Sequence, residues 1–243
     1  VAYSTLDIVL PCYNPQPGWE EKIITVFKEL CTRLPDIQLS LILVNDGSEK
    51  NITEKETDRI KKSIHYFQYI SYPENKGKGF ALREGVRHTQ ADIVIYTDID
   101  FPYTTDSILR IWQPLAAGDT DIAAGVSDAS YYAAAPYRRK LISKMLRFLS
   151  TVFLRLKISD TQRGLKGFNT RGKVLFLQTT INRYLFDLEF IYLASKKKHH
   201  LSLRAVPVEL KEGVVFSKMK PATLAAEGLN FLKLFFRSIL GGR

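Results

Sequence analysis

Asp98 and Asp100 stand two residues apart in Tyr96-Thr97-Asp98-Ile99-Asp100, at the end of the short apolar run Asp92-Ile93-Val94-Ile95. That run is β-branched and continuous, the pattern of a strand buried on both faces of an open α/β sheet. Carboxylates where a parallel strand runs out lie on the edge at which such sheets bind ligands. They are hard oxygen donors, suited to Mg²⁺ or Mn²⁺, and an ion so held usually also bonds substrate phosphates. In isolation an Asp-x-Asp fits a solvated strand-to-loop junction equally well, so the surrounding chain has to decide.

Three further stretches bear on that decision. Asn45-Asp46-Gly47-Ser48 follows the apolar run 39–44, and Asp46 there suits either a hydrogen bond from a nucleoside or the N-cap of a helix. Asn75-Lys76-Gly77-Lys78-Gly79 opens a helix, so Lys76, Lys78 and backbone N–H groups are expected near a phosphate. Neither the P-loop nor the GxGxxG spacing is present, which points away from P-loop NTPases and Rossmann dehydrogenases. Pro11-Cys12-Tyr13-Asn14-Pro15 forms a turn after the first apolar run, 6–10.

The elements that must position these groups alternate. Strands are expected at 6–10, 39–44, 66–70, 92–95, 121–126 and 202–206, and helices at 17–31, 54–62, 79–88, 105–115 and 186–196. Strands separated by helices at this spacing mean βαβ units and a mostly parallel sheet. Residues 127–136 read as a polar loop, a long helix follows from Tyr137, and 159–168 is a segment without assigned structure. We expect one domain over 1–243, with 1–126 the nucleotide-binding half and 127–243 an elaboration on the same sheet.

The chain has 243 residues, 45% of them apolar and 25% charged, which is ordinary globular composition. Two cysteines are too few for a disulfide framework or a zinc site and fit a reducing compartment. No leader segment is expected before the first strand, and no apolar run approaches the roughly 18 residues of a spanning helix. The net charge of +10 implies anionic partners. Nucleic acid is disfavoured among them, because the positive charge concentrates in segments also rich in large apolar residues.

The ordered motifs Leu10-Pro11-Cys12-Tyr13-Asn14, Val44-Asn45-Asp46-Gly47-Ser48, Asn75-Lys76-Gly77-Lys78-Gly79 and Thr97-Asp98-Ile99-Asp100 resemble those of family 2 glycosyltransferases. Asp160-Thr161-Gln162-Arg163-Gly164-Leu165-Lys166-Gly167-Phe168 and Phe186-Asp187-Leu188-Glu189 are similar to the dolichyl-phosphate glucosyltransferase and mannosyltransferase branch. The resemblance covers nearly the whole chain. It implies the α/β GT-A fold: a Rossmann-like, mostly parallel sheet with helices on both faces and amphipathic C-terminal helices. It also implies a nucleotide-sugar donor, a divalent metal on the diphosphate and inversion at the anomeric carbon. Carried over by position, Pro11, Tyr13, Asn14, Asp46, Lys76 and Lys78 would serve the donor, Asp98 and Asp100 the ribose and metal, and Lys218 the diphosphate. Glu20 or Glu21 would stand for an acidic residue that relatives carry directly after Tyr-Asn. Pro102 replaces a glutamine found in some mannosyltransferases. The Asp-Thr-Gln-x-Gly-x-Lys pattern leans toward glucosyl transfer, hence UDP-glucose, with GDP-mannose the alternative.

The second half suggests the acceptor. Arg138, Arg139, Lys140, Lys144, Arg147, Arg155 and Lys157 lie in a segment without acidic residues, interleaved with Leu141, Met145, Leu149, Val152, Phe153 and Leu156. This is the pattern of a basic amphipathic helix on a membrane surface, though such stripes more often face a core. A similar apolar pattern recurs at 229–240. The expectation is a peripheral enzyme on the cytoplasmic face of a membrane, acting on a polyprenyl phosphate. The acceptor phosphate has a second pKa near ~6 and needs no strong base. Arg138, Arg139 and Arg163 are candidates to clamp it. Were the acceptor a saccharide hydroxyl, as in cell-surface polysaccharide synthesis, Asp160, Asp187 or Glu189 would have to act as base.

Overall fold

The computed structural model describes residues 3–127, 137–154, 156, 163–214 and 221–240. Seven strands form one mixed sheet: β1 (Thr5–Cys12), β2 (Gln38–Asp46), β3 (Phe67–Tyr72), β4 (Ile93–Tyr96), β5 (Ile122–Ser127), β6 (Lys166–Asn169) and β7 (Leu203–Val208). Their spatial order is β3-β2-β1-β4-β6-β5-β7. Pairs among β1 to β4, and β5 with β7, are parallel; β6 runs antiparallel to both β4 and β5.

The helices are α1 (Trp19–Arg33), α2 (Glu54–Ser63), α3 (Lys78–Arg87), α4 (Thr105–Ala116), α5 (Tyr137–Leu154), α6 (Thr170–Phe176), α7 (Phe186–Ala194) and α8 (Pro221–Leu240). Side-chain alternation along the strands divides the core in two. Leu6, Ile8 and Leu10 of β1 and Ile93 and Ile95 of β4 face α1, α2 and α4. Val9, Val94 and Tyr96 face the opposite layer, built from α3, α6 and α7 with Leu154 and Leu234. Strands lined on both sides must be apolar throughout, which is why their sequences are continuous runs.

The chain winds outward from β1 through β2 to β3, then crosses back to place β4 on the other side of β1. A reversal of this kind opens a crevice beyond the carboxyl ends of the two central strands. The expected mostly parallel sheet with helices on both faces is present. The sequence reading lacked β6 and α6. With Lys166 and Gly167 in four residues, β6 carries no β-branched run to mark it, and α6, capped by Asn169 on Arg171 and Gly172 N–H, has only seven residues.

Candidate active site

At the carboxyl edge, the first two loops are stitched to each other. Asn14, at φ 45°, accepts the N–H groups of Glu49 and Lys50 on its Oδ1 at 2.9 and 3.1 Å, and donates its own N–H to Ser48 Oγ at 2.9 Å. Asn14 is therefore occupied in closing the crevice wall, while Tyr13 beside it is 51% exposed. Burial pushes the neighbouring Cys12 thiol up to about 12, with a Ser48 hydrogen bond opposing, so no thiolate chemistry arises here. Glu20 and Glu21 point elsewhere: both pair with Arg59 at 2.9 Å and tie α1 to α2.

Asp46 ends β2 almost fully buried, and each of its oxygens is used twice. Oδ1 accepts from Tyr72 Oη and Lys76 N, both at 2.8 Å; Oδ2 accepts from Asn75 Nδ2 at 3.0 Å and Gly77 N at 2.9 Å. The carboxylate thus folds the 74–77 turn onto the strand end. Gly47 makes this possible: at φ 68° a Cβ there would sit 2.5 Å from the carbonyl carbon of Glu74. A nucleoside contact through Asp46 would have to displace one of these four donors.

The Gly-rich turn also closes on the chain itself. Gly79 N and Phe80 N donate to the carbonyl of Asn182 at 2.7 and 3.3 Å. Of the backbone N–H groups expected near a phosphate at the α3 N-terminus, that of Gly79 is thus already held by a protein carbonyl, as is that of Phe80. Lys76 Nζ lies over the rings of Phe80 and Tyr72, 4.9 and 5.4 Å from their centroids. Lys78 is different: its ammonium pairs with Asp98. Burial disfavours that charge, yet the Asp98 and Asp187 carboxylates outweigh it and hold the Lys78 pKa above its ordinary value.

Asp98 and Asp100 flank a tight turn. Phe101 N donates to Asp98 O at 3.0 Å, and Phe101 itself is left-handed at φ 44° with its ring fully in the core. That strained anchor keeps the two acids on the rim. The Asp98 side chain is 39% exposed. Partial withdrawal from water, and then the charge of Asp98, raise the pKa of Asp100. Two carboxylates close together on a partly exposed rim are a favourable place for a cation. Among the described residues no cluster of three or more His, Cys, Asp or Glu side chains could hold a metal without further ligands.

The family model for glycosyl transferase family 2 matches residues 7–173. The chain is a family 2 glycosyltransferase. Among curated relatives, the dolichyl-phosphate β-glucosyltransferase of Drosophila melanogaster is 26% identical over 215 residues, covering 83% of this chain and 66% of that protein. The Saccharomyces cerevisiae dolichyl-phosphate β-glucosyltransferase is 25% identical over 253 residues, covering 94% and 72%. The chain thus spans about two thirds to three quarters of the length of these relatives. A solved structure of Mycobacterium tuberculosis glucosyl-3-phosphoglycerate synthase superposes with a TM-score of 0.71 at 16% identity, covering 97% of this chain and 80% of that one. Another crystal of that synthase contains Mn²⁺, UDP and glucosyl-3-phosphoglycerate. The fold of the glycosyltransferase is GT-A.

The transferase brings Asp98, Asp100, Lys78 and the 163–166 turn together over Asp187, and sets Glu189 to a different task. Glu189 is fully buried; its oxygens accept from Thr180 N, Thr180 Oγ1 and Ile181 N at 2.7 to 2.9 Å and pair with Arg237 at 3.1 Å. Fully engaged in this way, it clamps a loop and leaves no oxygen to act as base. Asp187 is buried beneath the rim, bonded to Tyr96 Oη and Lys166 Nζ at 2.5 and 2.6 Å. Arg163 is buried on the turn that enters β6. Asp160 and Lys218 lie outside the described residues; Arg138 and Arg139 belong to α5, with their side chains outside the described ones. Sequence reasoning assigned no role to Lys166, Tyr96 or Tyr103. Lys166 was visible only as one letter of a motif.

Two helices carry exposed apolar stripes. Met145, Phe148 and Val152 of α5 and Leu229, Leu232, Phe236 and Ile239 of α8 are each 48 to 64% exposed, spaced three and four apart. Leu154 and Leu234 turn inward instead, to the core layer. The expected stripe is therefore split: Met145 and Val152 of α5 face out, while Leu156, past the end of α5, is buried. Among the described residues no helix is long and apolar enough to cross a membrane.

Proposed function

We propose that the transferase moves glucose from UDP-glucose to the phosphate of a polyprenyl lipid at a membrane surface, with inversion at the anomeric carbon. The observation that carries this reading is the coexistence of a carboxylate–lysine rim at the sheet's carboxyl edge with two outward apolar helix stripes. The names of the dolichyl-phosphate β-glucosyltransferases, matched over most of the chain, supply the substrate class. Apolar stripes interspersed with Lys144, Arg147 and Lys233 suit a helix lying in the interfacial plane. Residues 1–126 would hold the donor and 127–243 the acceptor and the membrane, on its cytoplasmic face.

Asp98 and Asp100 fit Mg²⁺ or Mn²⁺. Two hard carboxylates, joined by no third acidic or imidazole ligand among the described residues, match an ion that completes its shell with diphosphate oxygens and water. Such an ion would neutralise charge on the departing diphosphate. Lys78 brings a fixed positive charge to the same rim. Arg163 and the arginines of α5 are the groups to orient the acceptor phosphate bidentately. That phosphate is largely dianionic at neutral pH, so the residues need to position it rather than deprotonate it. The burial of Asp187 and the engagement of Glu189 agree with a reaction that requires no general base.

The test is transfer from a panel of UDP- and GDP-sugars to a short polyprenyl phosphate and to a saccharide acceptor, with and without EDTA. Metal-dependent formation of a glucosyl phospholipid is expected. Transfer only to the saccharide hydroxyl would overturn the acceptor, and undiminished transfer in EDTA would overturn the metal.

A further inference from the structure

Beneath the paired acids lies an ion pair that the reading above leaves without a task. Lys166 is fully buried, and its Nζ stands 2.6 Å from Asp187 Oδ1 and 2.6 Å from the carbonyl oxygen of Arg163. Asp187, only 4% exposed, also accepts the Tyr96 hydroxyl at 2.5 Å. The three side chains come from three elements. Tyr96 ends β4, Lys166 opens β6 opposite it in register, and Asp187 lies in the first turn of α7. Withdrawing an ammonium and a carboxylate from water is costly, and such a pair seldom out-stabilises apolar side chains of the same volume. Stability is a poor reason for its presence.

Geometry supplies a better one. Lys166 holds Arg163 O, Tyr103 Oη accepts from Gly164 N at 3.1 Å, and Gly125 N donates to Leu165 O at 3.0 Å. Three successive residues are thus pinned by three different partners. The turn so fixed presses on the rim: a Cβ on Gly164 would lie 2.6 Å from Asp98 Oδ2 and 3.2 Å from Lys78 Nζ.

We propose that Lys166, with Asp187 and Tyr96 as its counter-groups, is a positioning residue that sets the 163–165 turn against Asp98. It acts through backbone, fixing where the Asp98 carboxylate stands and where Arg163 enters the site. The proposal rests on the sugar-transfer reading for its kinetic consequence, but its geometric content is independent of that reading.

The test is the double variant Lys166→Met with Asp187→Asn, which removes both charges, keeps an amide oxygen for Tyr96 and fills the lysine's volume. Melting temperature and secondary structure should stay close to those of the parent. Turnover with UDP-glucose and a polyprenyl phosphate should fall about a hundredfold, as misplacement by an ångström does in catalytic sites. KM for UDP-glucose should move less than about threefold, the split expected when positioning rather than donor binding is lost. Amide exchange at Gly164 and Leu165 should accelerate while β1 and β2 keep their protection. Turnover within about threefold of the parent, with unchanged exchange at the turn, would overturn the proposal. So would a loss of activity carried by KM alone, which would mean a donor contact. If the double variant fails to fold, Gly164→Ala reaches the same carboxylate from the same turn and should reproduce the turnover loss; native turnover there overturns the proposal too. A parent protein inactive toward the lipid phosphate would instead sink the sugar-transfer reading, and exchange at the turn would then decide the positioning role.

Discussion

Two carboxylates close the strands on either side of β1 at one sheet edge, and the protein treats them in opposite ways. Asp46, ending β2, is buried and accepts four hydrogen bonds from its own chain. Asp98, just past β4, is partly open to solvent, pairs with Lys78, and shares its rim with Asp100, whose pKa is raised by partial withdrawal from water and by Asp98. A carboxylate whose lone pairs are all occupied is architecture. One held near a like charge, with oxygens to spare, gains most from an incoming cation. The difference separates a residue that shapes the crevice from residues equipped to act in it.

The sharpest way to break this comparison is Asp100→Ala. Loss of one of two acids on the rim should lower turnover by about a thousandfold or more, because charge stabilisation by a bound ion amounts to several kcal/mol. Melting temperature should hold, and turnover retained in both the variant and EDTA-treated parent would erase the distinction. Asp46→Ala should do the reverse. Four donors lose their acceptor, so urea unfolding should show a loss of about 3 kcal/mol. Unchanged stability with UDP affinity weakened by about 1–3 kcal/mol would instead return Asp46 to the nucleoside.

A third experiment extends the contrast to α8. Leu234→Ala should cost about 2–3 kcal/mol in unfolding free energy, since that side chain is in the core. Leu232→Ser with Phe236→Ser should shift stability by less than about 1 kcal/mol, as exposed positions do. Cosedimentation with anionic vesicles should reverse the ranking, and vesicle binding untouched by the serine pair would remove the membrane role from this stripe. Replacing Arg138 and Arg139 with glutamine should likewise weaken vesicle binding and raise the KM for a polyprenyl phosphate, since each basic residue contributes about 1 kcal/mol at an acidic surface.

The smallest effect is expected from a third internally satisfied acid. Burial works against the Asp121 carboxylate, but Asn169, Ser202 and Arg171 outweigh it and hold its pKa below the ordinary value. A depressed folded-state pKa adds stability that is present above the ordinary carboxylate range, near 4, and disappears as pH falls through the folded value. Asp121→Asn should therefore flatten the acid limb of a stability-versus-pH curve while leaving the region above pH ~5 parallel to the parent. An identical acid limb would show that Asp121 carries no such linkage.

Much of this molecule is written locally. Runs such as Leu41-Ile42-Leu43-Val44 and Ile93-Val94-Ile95 are buried on both sides and can be little else than central strands. Their alternation with helices dictates parallel pairing, and Asp98 and Asp100 at a strand end are legible as a cation-binding pair from type and spacing alone. What tertiary structure decided is which charges remain available. The chain order does not reveal that Tyr72, Asn75, Lys76 and Gly77 would converge on Asp46, or that Arg237 and the 180–181 loop would close over Glu189. Nor does it reveal β6, whose antiparallel insertion between β4 and β5 buries Lys166 opposite Tyr96 and hangs its turn over Asp98. The physical reason is range. Hydrophobic periodicity is a property of neighbours along the chain, whereas the state of a charge depends on partners brought through space, such as Tyr72, 26 residues from Asp46, and Arg237, 48 residues from Glu189.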